Sequence, residues 1–464
     1  MGCRNLRKVS SRNKRPDIQN NNFKITLPEE IEIDFEHVIG HQECKRELSL
    51  LLNFLQNSEE YNKQNIFPYC KYLLVGRTGV GKSTLVFSIA KAAKIPVFSV
   101  EPSFYYNTEN LLKGVEHLFY VINTNIEKRG NCILLLKDIE YMNAIAPEVI
   151  QPFLEKLLSY FREMPQLVAF ASLSTSVPGV EIPKLLIEKP AFNKVIQLEA
   201  PELKVREQIL GEMLKEVHID ENLNIHRLAL DTYQMTTGEI KTLVYDAMLH
   251  CLQEGNRKVS YYDFAEVLAQ STFGYASEKL DEKERLATAR HEAGHVIAGY
   301  FSSPDTYKVS KVEITPRSMY LGITQETVDE SKKSFFRKDL ENQIITCLGG
   351  MASEEYYYGK TTSGVENDLE QATSLAIQIF KVYGMSEEVG PICLLSDFYK
   401  LEILEEGADI LIQKFLKEMY RKAKALINWH SDALDALTKA LLDNEVVYSE
   451  EVTEILEKYQ TNDK

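Results

Sequence analysis

The spacing of apolar residues differs between the two halves of the chain. In the N-terminal half, short apolar runs such as YLLVG and CILLL have the length of buried strands and alternate with helical patterns. From about residue 31 to 270 this alternation predicts a parallel α/β sheet followed by a helical lid. In the C-terminal half, apolar residues recur every three or four positions in two long stretches, which predicts helices there.

The first C-terminal helix is predicted in ATARHEAGHVIAGYF, residues 287–301. No proline interrupts it, and apolar residues share one face: Leu286, Ala289, Ala293, Val296, Ile297 and Tyr300. Residues four apart on a helix lie on the same side, so His291 and His295 can direct two imidazoles at one ion, with Glu292 beside them. This is the arrangement of a zinc hydrolase. The alternative is a buried helix face whose histidines are satisfied by backbone or carboxylate groups.

A catalytic zinc usually has three protein ligands and one open position, so the chain must supply another His, Asp or Glu. A second amphipathic helix is predicted in TTSGVENDLEQATSLAIQIFKVYGMS, with Asn367 and Asp368 at its start and Gly384 after its end. Asp368 is a candidate ligand, although an Asp at a helix start is most often an N-cap. Composition and spacing leave both roles open.

The segment YLLVGRTGVGKSTL carries the pattern G-x4-G-K-[ST] directly after an apolar strand and before a helix. Backbone N–H groups of such a loop cradle phosphates, while Lys82 can reach the β and γ phosphates and Ser83 can hold magnesium. The predicted ATP-binding residues of this loop are Gly76, Thr78, Gly79, Val80, Gly81, Lys82, Ser83 and Thr84.

Composition narrows the class of protein. A chain of 464 residues is too long for one core and indicates two to four domains. Its net charge of −15 argues against nucleic acid as a principal partner. The seven cysteines are scattered without a CxxC pair, as in reduced proteins of a cytosolic-type compartment. No run approaches the roughly 18 apolar residues of a membrane helix.

The first fifteen residues contain six Lys or Arg and no acid. They lack the apolar region of a secretory signal, and Leu6 stands where a myristoylation pattern needs Ser or Thr. We expect a disordered basic tail over residues 1–30. Attraction to an anionic membrane surface or a membrane-bound partner is the alternative.

Six segments, taken in order, resemble the FtsH family of AAA zinc metalloproteases. Two are similar to the AAA module, namely FEHVIGHQECKRELSLLLNFLQNSEEY (35–61) and TTGEIKTLVYDAMLHCLQEGNRKVSYYDF (236–264). Four resemble the peptidase half: HEAGH, KVEITPRSMYLGITQ (311–325), LGGMASEEYYYGKTTSGVENDLEQAT (348–373) and YGMSEEVGP (383–391). The resemblance implies an α/β P-loop AAA domain at 31–200, its helical lid at 201–274 and a mainly α-helical zinc peptidase domain at 275–464.

By this resemblance His291, His295 and Asp368 hold the zinc, and Glu292 is the general base. Glu354 or Glu355 in MASEE would then accept a hydrogen bond from the ring N–H of a ligating histidine that does not face the zinc. The alternative is that both glutamates are charges on a helix surface. Gly294 costs a helix about 1 kcal/mol relative to Ala, which suggests close packing or substrate approach at that turn.

The strand-like KVEITP is interpreted either as an edge that pairs with an extended substrate or as an internal strand.

The ATPase half departs from the family at several positions. Lys137 and Asp138 stand where the family has Asp-Glu, and Ser174 stands where it has a sensor asparagine. No arginine finger occurs in PKLLIEKPAFNK, which offers only Lys189 between its LL and F. Asn107 takes the place of the pore aromatic, although three aromatic residues directly precede it: Phe104, Tyr105 and Tyr106. Members of the family usually carry transmembrane helices ahead of the ATPase, and here about thirty residues precede it.

The sequence therefore predicts a zinc endopeptidase that acts on unfolded or flexible polypeptides, in the cytoplasm or at a membrane periphery. ATP should bind with weak magnesium dependence, because Asp138 is the one acid left of the family's Asp-Glu pair. Hydrolysis should be slow or absent. The expected assembly is a homo- or hetero-hexamer without nucleic acid. The alternatives are a non-proteolytic ATP-binding scaffold and a subunit of a mixed protease ring.

Overall fold

A computed structural model describes most of the chain: residues 23–57, 61, 68–107, 110–164, 167–176, 191–255, 257–277, 280–318, 320–327, 332, 334–396, 399–400 and 402–460. The chain forms two compact units, one of Met1–Glu212 with Gln234–Thr242 and one of Met213–Tyr233 with Leu243–Lys464. Residues 1–22 of the predicted tail, and Lys189 in the predicted finger segment, lie outside the described residues. The prediction of disorder is wrong for residues 23–30, because Phe23–Thr26 pairs with another strand and Pro28–Glu30 forms a 3₁₀ turn.

The first unit contains a six-stranded sheet in the order β1-β3-β4-β5-β2-β6. Its strands are β1 (Phe23–Thr26), β2 (Lys71–Gly76), β3 (Val97–Val100), β4 (Ile133–Leu136), β5 (Val168–Ser174) and β6 (Lys194–Gln197). β2 to β6 run parallel, and β1 pairs antiparallel with β3. Every residue of β4 and β5 is buried, as expected of a parallel sheet covered on both faces. The predicted parallel α/β sheet is thus confirmed.

Among the described residues, this unit has the α-helices α1 (Gln42–Gln56), α2 (Lys82–Ala93), α3 (Pro102–Tyr106), α4 (Leu111–Arg129), α5 (Pro147–Glu163) and α6 (Leu203–Leu214, whose last residues belong to the second unit). α1 and α2 share one core with alternate strand residues such as Leu135, while α4 and α5 share another with neighbours such as Leu134. The sheet lies between these cores. Because its parallel strands end at one edge, the loop after β2 and the residues after β4 and β5 come together there.

The second unit is mainly helical. Its helices are α7 (Ile225–Asp231), α8 (Thr237–Gln253, whose first residues belong to the first unit), α9 (Tyr261–Phe273), α10 (Glu282–Ser302), α11 (Arg337–Cys347), α12 (Gly349–Tyr358), α13 (Glu366–Ile377), α14 (Glu402–Trp429), α15 (Ser431–Asn444) and α16 (Ser449–Gln460). The predicted helix at 287–301 lies within α10. Among the helices of the described residues, none has the length and apolar character needed to cross a bilayer.

A small antiparallel sheet packs beside α10. It consists of β7 (Val309–Glu313), β8 (Ile323–Glu326) and β11 (Val446–Tyr448) in the order β11-β7-β8, and β9 (Leu395–Ser396) pairs separately with β10 (Tyr399–Lys400). The KVEI segment therefore lies mostly in the central strand β7, and its interpretation as an edge is wrong. Within the described sheet, β8 is an edge strand.

α10 and α12 cross at two glycines. A Cβ atom at Gly294 would lie 2.5 Å from the carbonyl oxygen of Gly349, and a Cβ at Gly349 would overlap the carbonyl of Gly294 in return. Only glycine permits this approach, which explains Gly294 by close packing. The crossing brings the HEAGH turn of α10 against the first turns of α12.

Candidate active site and nucleotide site

The structure brings the three predicted zinc ligands together. The Nε2 atoms of His291 and His295 are 3.1 Å apart, and Oδ2 of Asp368 lies 3.1 Å from the first and 3.3 Å from the second. Ligands about 2.0 Å from a tetrahedral zinc are about 3.3 Å from one another, so the triangle has the size that the metal requires. Asp368 is the third residue of α13, whose N-cap is Val365, so it does not act as the N-cap.

The hydrogen bonds of the two Nδ1 atoms determine whether the Nε2 atoms can bind a metal. Nδ1 of His291 lies 2.9 Å from Oε1 of Glu354, and Nδ1 of His295 lies 2.8 Å from the carbonyl oxygen of Thr346. Both partners are acceptors, so each neutral ring carries its proton on Nδ1 and presents a lone pair on Nε2. Two lone pairs and a carboxylate then converge, which is a donor set that fits Zn²⁺. Glu355, the other candidate second partner, instead contacts Tyr420 and Lys424.

The charge balance at this triangle is negative. Burial lowers the pKa of His291, but hydrogen bonds to Asp368 and Glu354 outweigh it and raise the pKa to about 10. Burial raises the pKa of Asp368, but its hydrogen bonds to the two imidazoles outweigh that effect and lower it. A potential that holds a proton here also attracts a cation, which must displace that proton on binding.

Glu292 is buried beside the ligands and held from the neighbouring edge strand. The hydroxyl of Thr324 on β8 donates to its Oε2 at 2.8 Å. A Cβ at Gly322 would lie 2.8 Å from both Cγ and Oε1 of Glu292, so a glycine at that position leaves room for the carboxylate. The sequence analysis identified Glu292 but neither of these β8 contacts.

Gly350 closes the other side of the triangle. A Cβ there would lie 2.6 Å from Nε2 of His291 and 2.7 Å from Nε2 of His295. The GG pair before MASEE was a sequence signal for such close approach, because the first glycine admits α10 and the second admits the ligand rings. The sequence analysis did not use it.

The P-loop joins the end of β2 to the start of α2. Gly79 and Gly81 have φ angles of +85° and +103°, which glycine adopts without strain. Nζ of Lys82 donates to the carbonyl oxygens of Gly76 at 2.6 Å and Arg77 at 2.9 Å. Burial lowers the pKa of this lysine.

Other parts of the first unit hold the same loop. Thr78 N–H donates to Oγ of Ser176 at 2.9 Å, and its hydroxyl lies 2.8 Å from that of Ser174, the residue at the sensor position. The Val80 carbonyl accepts from Nε2 of His41 at 2.8 Å. Ser83 and Thr84 occupy the first turn of α2, as a phosphate-binding helix start requires.

Lys137 forms an ion pair with a carboxylate outside the P-loop. Its Nζ is 2.8 Å from Oε1 of Glu101, so its charge is neutralised by that carboxylate. Asp138 has a left-handed φ of +49°, and its N–H donates to the Ser172 hydroxyl at 2.9 Å. Of the two residues, Asp138 is the one that acts electrostatically on Lys82 of the P-loop.

Glu140 is an acid of this site that the sequence analysis missed. Asp138 and Glu140 both act electrostatically on Lys82. Burial raises the pKa of Glu140, and its Oε2 is buried without a hydrogen-bond partner among the described residues. The signal was the spacing Asp-Ile-Glu, which lets a short 3₁₀ turn return the second acid toward the loop.

The aromatic residues proposed for the pore differ in exposure. Phe104 and Tyr105 are buried in the core, whereas Tyr106 is 50% exposed. Among the three, only Tyr106 is available at the surface of the unit.

Comparisons with known proteins agree with both halves of the chain. The family model "ATPase family associated with various cellular activities (AAA)" matches residues 72–198, and the model "Peptidase family M41" matches residues 278–455. The first contains the P-loop and the second contains the His–His–Asp triangle.

Curated relatives match almost the whole chain. It is 29% identical to an ATP-dependent zinc metalloprotease FtsH 4 of Sphaerobacter thermophilus, over 91% of this chain and 67% of that protein. It is 29% identical to an FtsH of Thermobaculum terrenum, over 92% of this chain and 69% of that protein. It is 28% identical to an FtsH of Aquifex aeolicus, over 94% of this chain and 72% of that protein. With an AAA module followed by an M41 peptidase region, the chain is similar over nearly its whole length to FtsH-type ATP-dependent zinc metalloproteases and is a zinc metalloendopeptidase that carries an ATP-binding module.

Proposed function

We propose that this endopeptidase cleaves unfolded or flexible polypeptides at a zinc centre of His291, His295 and Asp368, with Glu292 as the general base. The observation that carries the proposal is the ligand triangle with edges of 3.1 to 3.3 Å, in which both histidines direct Nε2 inward while acceptors hold Nδ1. A helix face of merely buried histidines would not require a carboxylate from another helix at the same point.

The chain's own groups supply positioning and proton transfer. Bound zinc provides a Lewis acid that polarises the scissile carbonyl and makes water more acidic. The Glu292 carboxylate, held by Thr324, accepts the proton of the attacking water and passes it to the leaving amine. The edge of β8 offers backbone donors and acceptors to an extended substrate, which favours unfolded segments over folded ones.

Glu292→Gln tests this assignment. The variant should lose casein cleavage by a factor of about 10² to 10⁴ while keeping zinc near one per chain, since Glu292 moves protons and does not bind the metal. Cleavage by the variant at the wild-type rate would exclude Glu292 as the base. A zinc-loaded wild type that cleaves no unfolded protein would favour the non-proteolytic scaffold instead.

We also propose that the AAA module binds ATP but hydrolyses it slowly. The P-loop backbone, Lys82 and Ser83 supply contacts to phosphate and magnesium. Asp138 and Glu140 supply the carboxylates near Lys82. The Asp-Glu pair of the family is altered, however, and residues 183–194 contain no arginine. An arginine finger contributes about 10³ to 10⁵ in rate in well-studied NTPases, so hydrolysis in a ring of this chain alone should be poor.

The proposed assembly is a hexameric ring, as in FtsH-type AAA proteases. Two compositions are open, a ring of identical chains and a mixed ring whose other subunits supply arginine fingers. Purification of the native complex distinguishes them, because a mixed ring would contain a second AAA chain in fixed ratio.

We propose a reducing, cytoplasmic location. Six cysteines of the described residues are free thiols, which supports a reducing compartment. Contact of the basic N-terminal segment with an anionic membrane remains a separate prediction, tested by sedimentation of the chain with anionic and neutral vesicles.

A further inference from the structure

Glu326 lies on the active-site face of the edge strand β8. Side chains two residues apart on a strand share a face, so Glu326 is on the same side as Thr324, which contacts Glu292. The strand register agrees, because Thr324 pairs with Val312 and Glu326 pairs with Val309, and both valines belong to the core shared with α10.

The groups near the Glu326 carboxyl belong to the surroundings of the zinc centre. Glu326 acts electrostatically on the zinc ligand His295, on the Tyr307 hydroxyl and on the Cys347 thiol. The Tyr307 hydroxyl is itself buried without a hydrogen-bond partner among the described residues, and it is also under the charge of Glu292. Glu326 thus belongs to the electrostatic surroundings of the metal ligands.

Glu326 has no cationic side chain to balance it. Among the described residues, no lysine or arginine forms an ion pair with this carboxylate. The residue is exposed, so a substrate side chain can reach its carboxylate. A cation from the substrate would be attracted to that charge, whereas an acid would be repelled.

We propose that Glu326 makes the peptidase prefer a lysine or arginine side chain next to the scissile bond. The inference rests on the proposed zinc peptidase activity. A substrate strand that pairs with β8 directs alternate side chains to the face that carries Thr324 and Glu326, which places one of them beside Glu326. Glu326 is thus a specificity-determining residue and takes no part in the proton transfer.

The test uses the full-length, zinc-loaded protein and quenched fluorescent peptides. The peptides differ only in the residue on either side of the cleaved bond, which is Lys, Leu or Glu. The wild type should show a kcat/KM for Lys at least about tenfold above that for Glu, as expected of one charge pair. Glu326→Gln should remove the preference, and Glu326→Lys should reverse it.

Gln325→Glu is the matched control, because it changes the charge by one unit on the opposite face of the same strand and should leave the preference unaltered. Zinc content is measured in each variant, and the isosteric Glu326→Gln variant serves if the charge reversal does not fold. Equal rates for all wild-type peptides, or an undiminished Lys preference in Glu326→Gln, would overturn the inference while leaving the peptidase proposal intact. No cleavage of any peptide by the zinc-loaded wild type would overturn both.

Discussion

The zinc centre and the nucleotide site of this chain differ in how completely their polar groups are matched. At the zinc centre, each histidine has an acceptor for its outer nitrogen, and Glu292 has the hydroxyl of Thr324. In the nucleotide site, Lys137 is bound to Glu101, and one oxygen of Glu140 has no partner among the described residues.

The difference follows from what each kind of site requires. A metal centre depends on all its ligands at once, because removing one leaves buried charges without a counter-charge. A P-loop binds phosphates largely through backbone N–H groups, so binding tolerates changes in the acids that serve hydrolysis. Proteolysis and nucleotide turnover should therefore be separable here, and four changes test that separation, from the largest expected effect to the smallest.

Asp368→Ala should remove the third ligand and lower both zinc content and cleavage, the latter by roughly 10³-fold or more. Because Asp368 is not the N-cap of α13, any loss of thermal stability in the zinc-free protein should come from the lost contacts with His291 and His295 and not from the helix start. Metal analysis and a melting curve of the same sample give both values. Glu366→Ala, at the exposed first position of that helix, is the control. Full zinc content in Asp368→Ala would exclude Asp368 as a ligand.

Gly350→Ala should displace both ligand rings, since its Cβ would lie 2.6 to 2.7 Å from their Nε2 atoms. We expect zinc affinity to fall by about 100-fold, which is the upper end of the loss seen when residues that orient metal ligands are changed. Gly211→Ala, another helical glycine with open space at its Cβ, should leave zinc binding unaffected. Equal zinc affinity in the two variants would show that the triangle is looser than its geometry indicates.

Glu354→Gln removes the charge that holds the outer nitrogen of His291 but keeps the shape of the side chain. Zinc affinity should fall by about 10- to 100-fold. The neighbouring Glu355→Gln alters a contact with Tyr420 and Lys424 and should leave the affinity near wild type. Competition with a chromogenic chelator measures both, and an identical loss in the two variants would contradict the assignment.

Lys137→Asp combined with Asp138→Glu restores the acidic pair at the end of β4. Magnesium should then strengthen ATP binding by a few-fold more than in the wild type, because two adjacent carboxylates at the strand end attract the metal more than one does. Hydrolysis should remain poor without arginine fingers. Fluorescent nucleotide titrations with and without magnesium measure the first effect, and a large gain in turnover would show that Lys137 alone limits the site.

The sequence predicted those parts of the two sites that depend on local spacing. The four-residue spacing of His291 and His295 and the glycine–lysine pattern before α2 each lie on one element, so periodicity was sufficient. The choice of Asp368 as the third ligand came only from the family resemblance, because its contact with α10 spans 77 positions of the chain.

The contacts that the sequence did not reveal depend on tertiary packing. Thr324 carries no signal in its own segment, and the local spacings at Gly350 and Glu140 do not identify their partners. Only the folded chain brings these residues to Glu292, the ligand rings and Lys82. The edge interpretation of KVEITP was wrong for a related reason. Alternation shows that a segment is a strand but cannot show that β11, from the far end of the sequence, pairs with its free side.

The most direct test of the central claim is degradation of an unfolded and a stably folded reporter by the same preparation, each with and without ATP, with phosphate release followed in parallel. If proteolysis is intact and the motor impaired, the unfolded reporter is cleaved at similar rates with and without ATP, the folded reporter survives, and phosphate release stays far below one per second per chain. ATP turnover of order one per second or more, together with ATP-dependent loss of the folded reporter, would contradict the account.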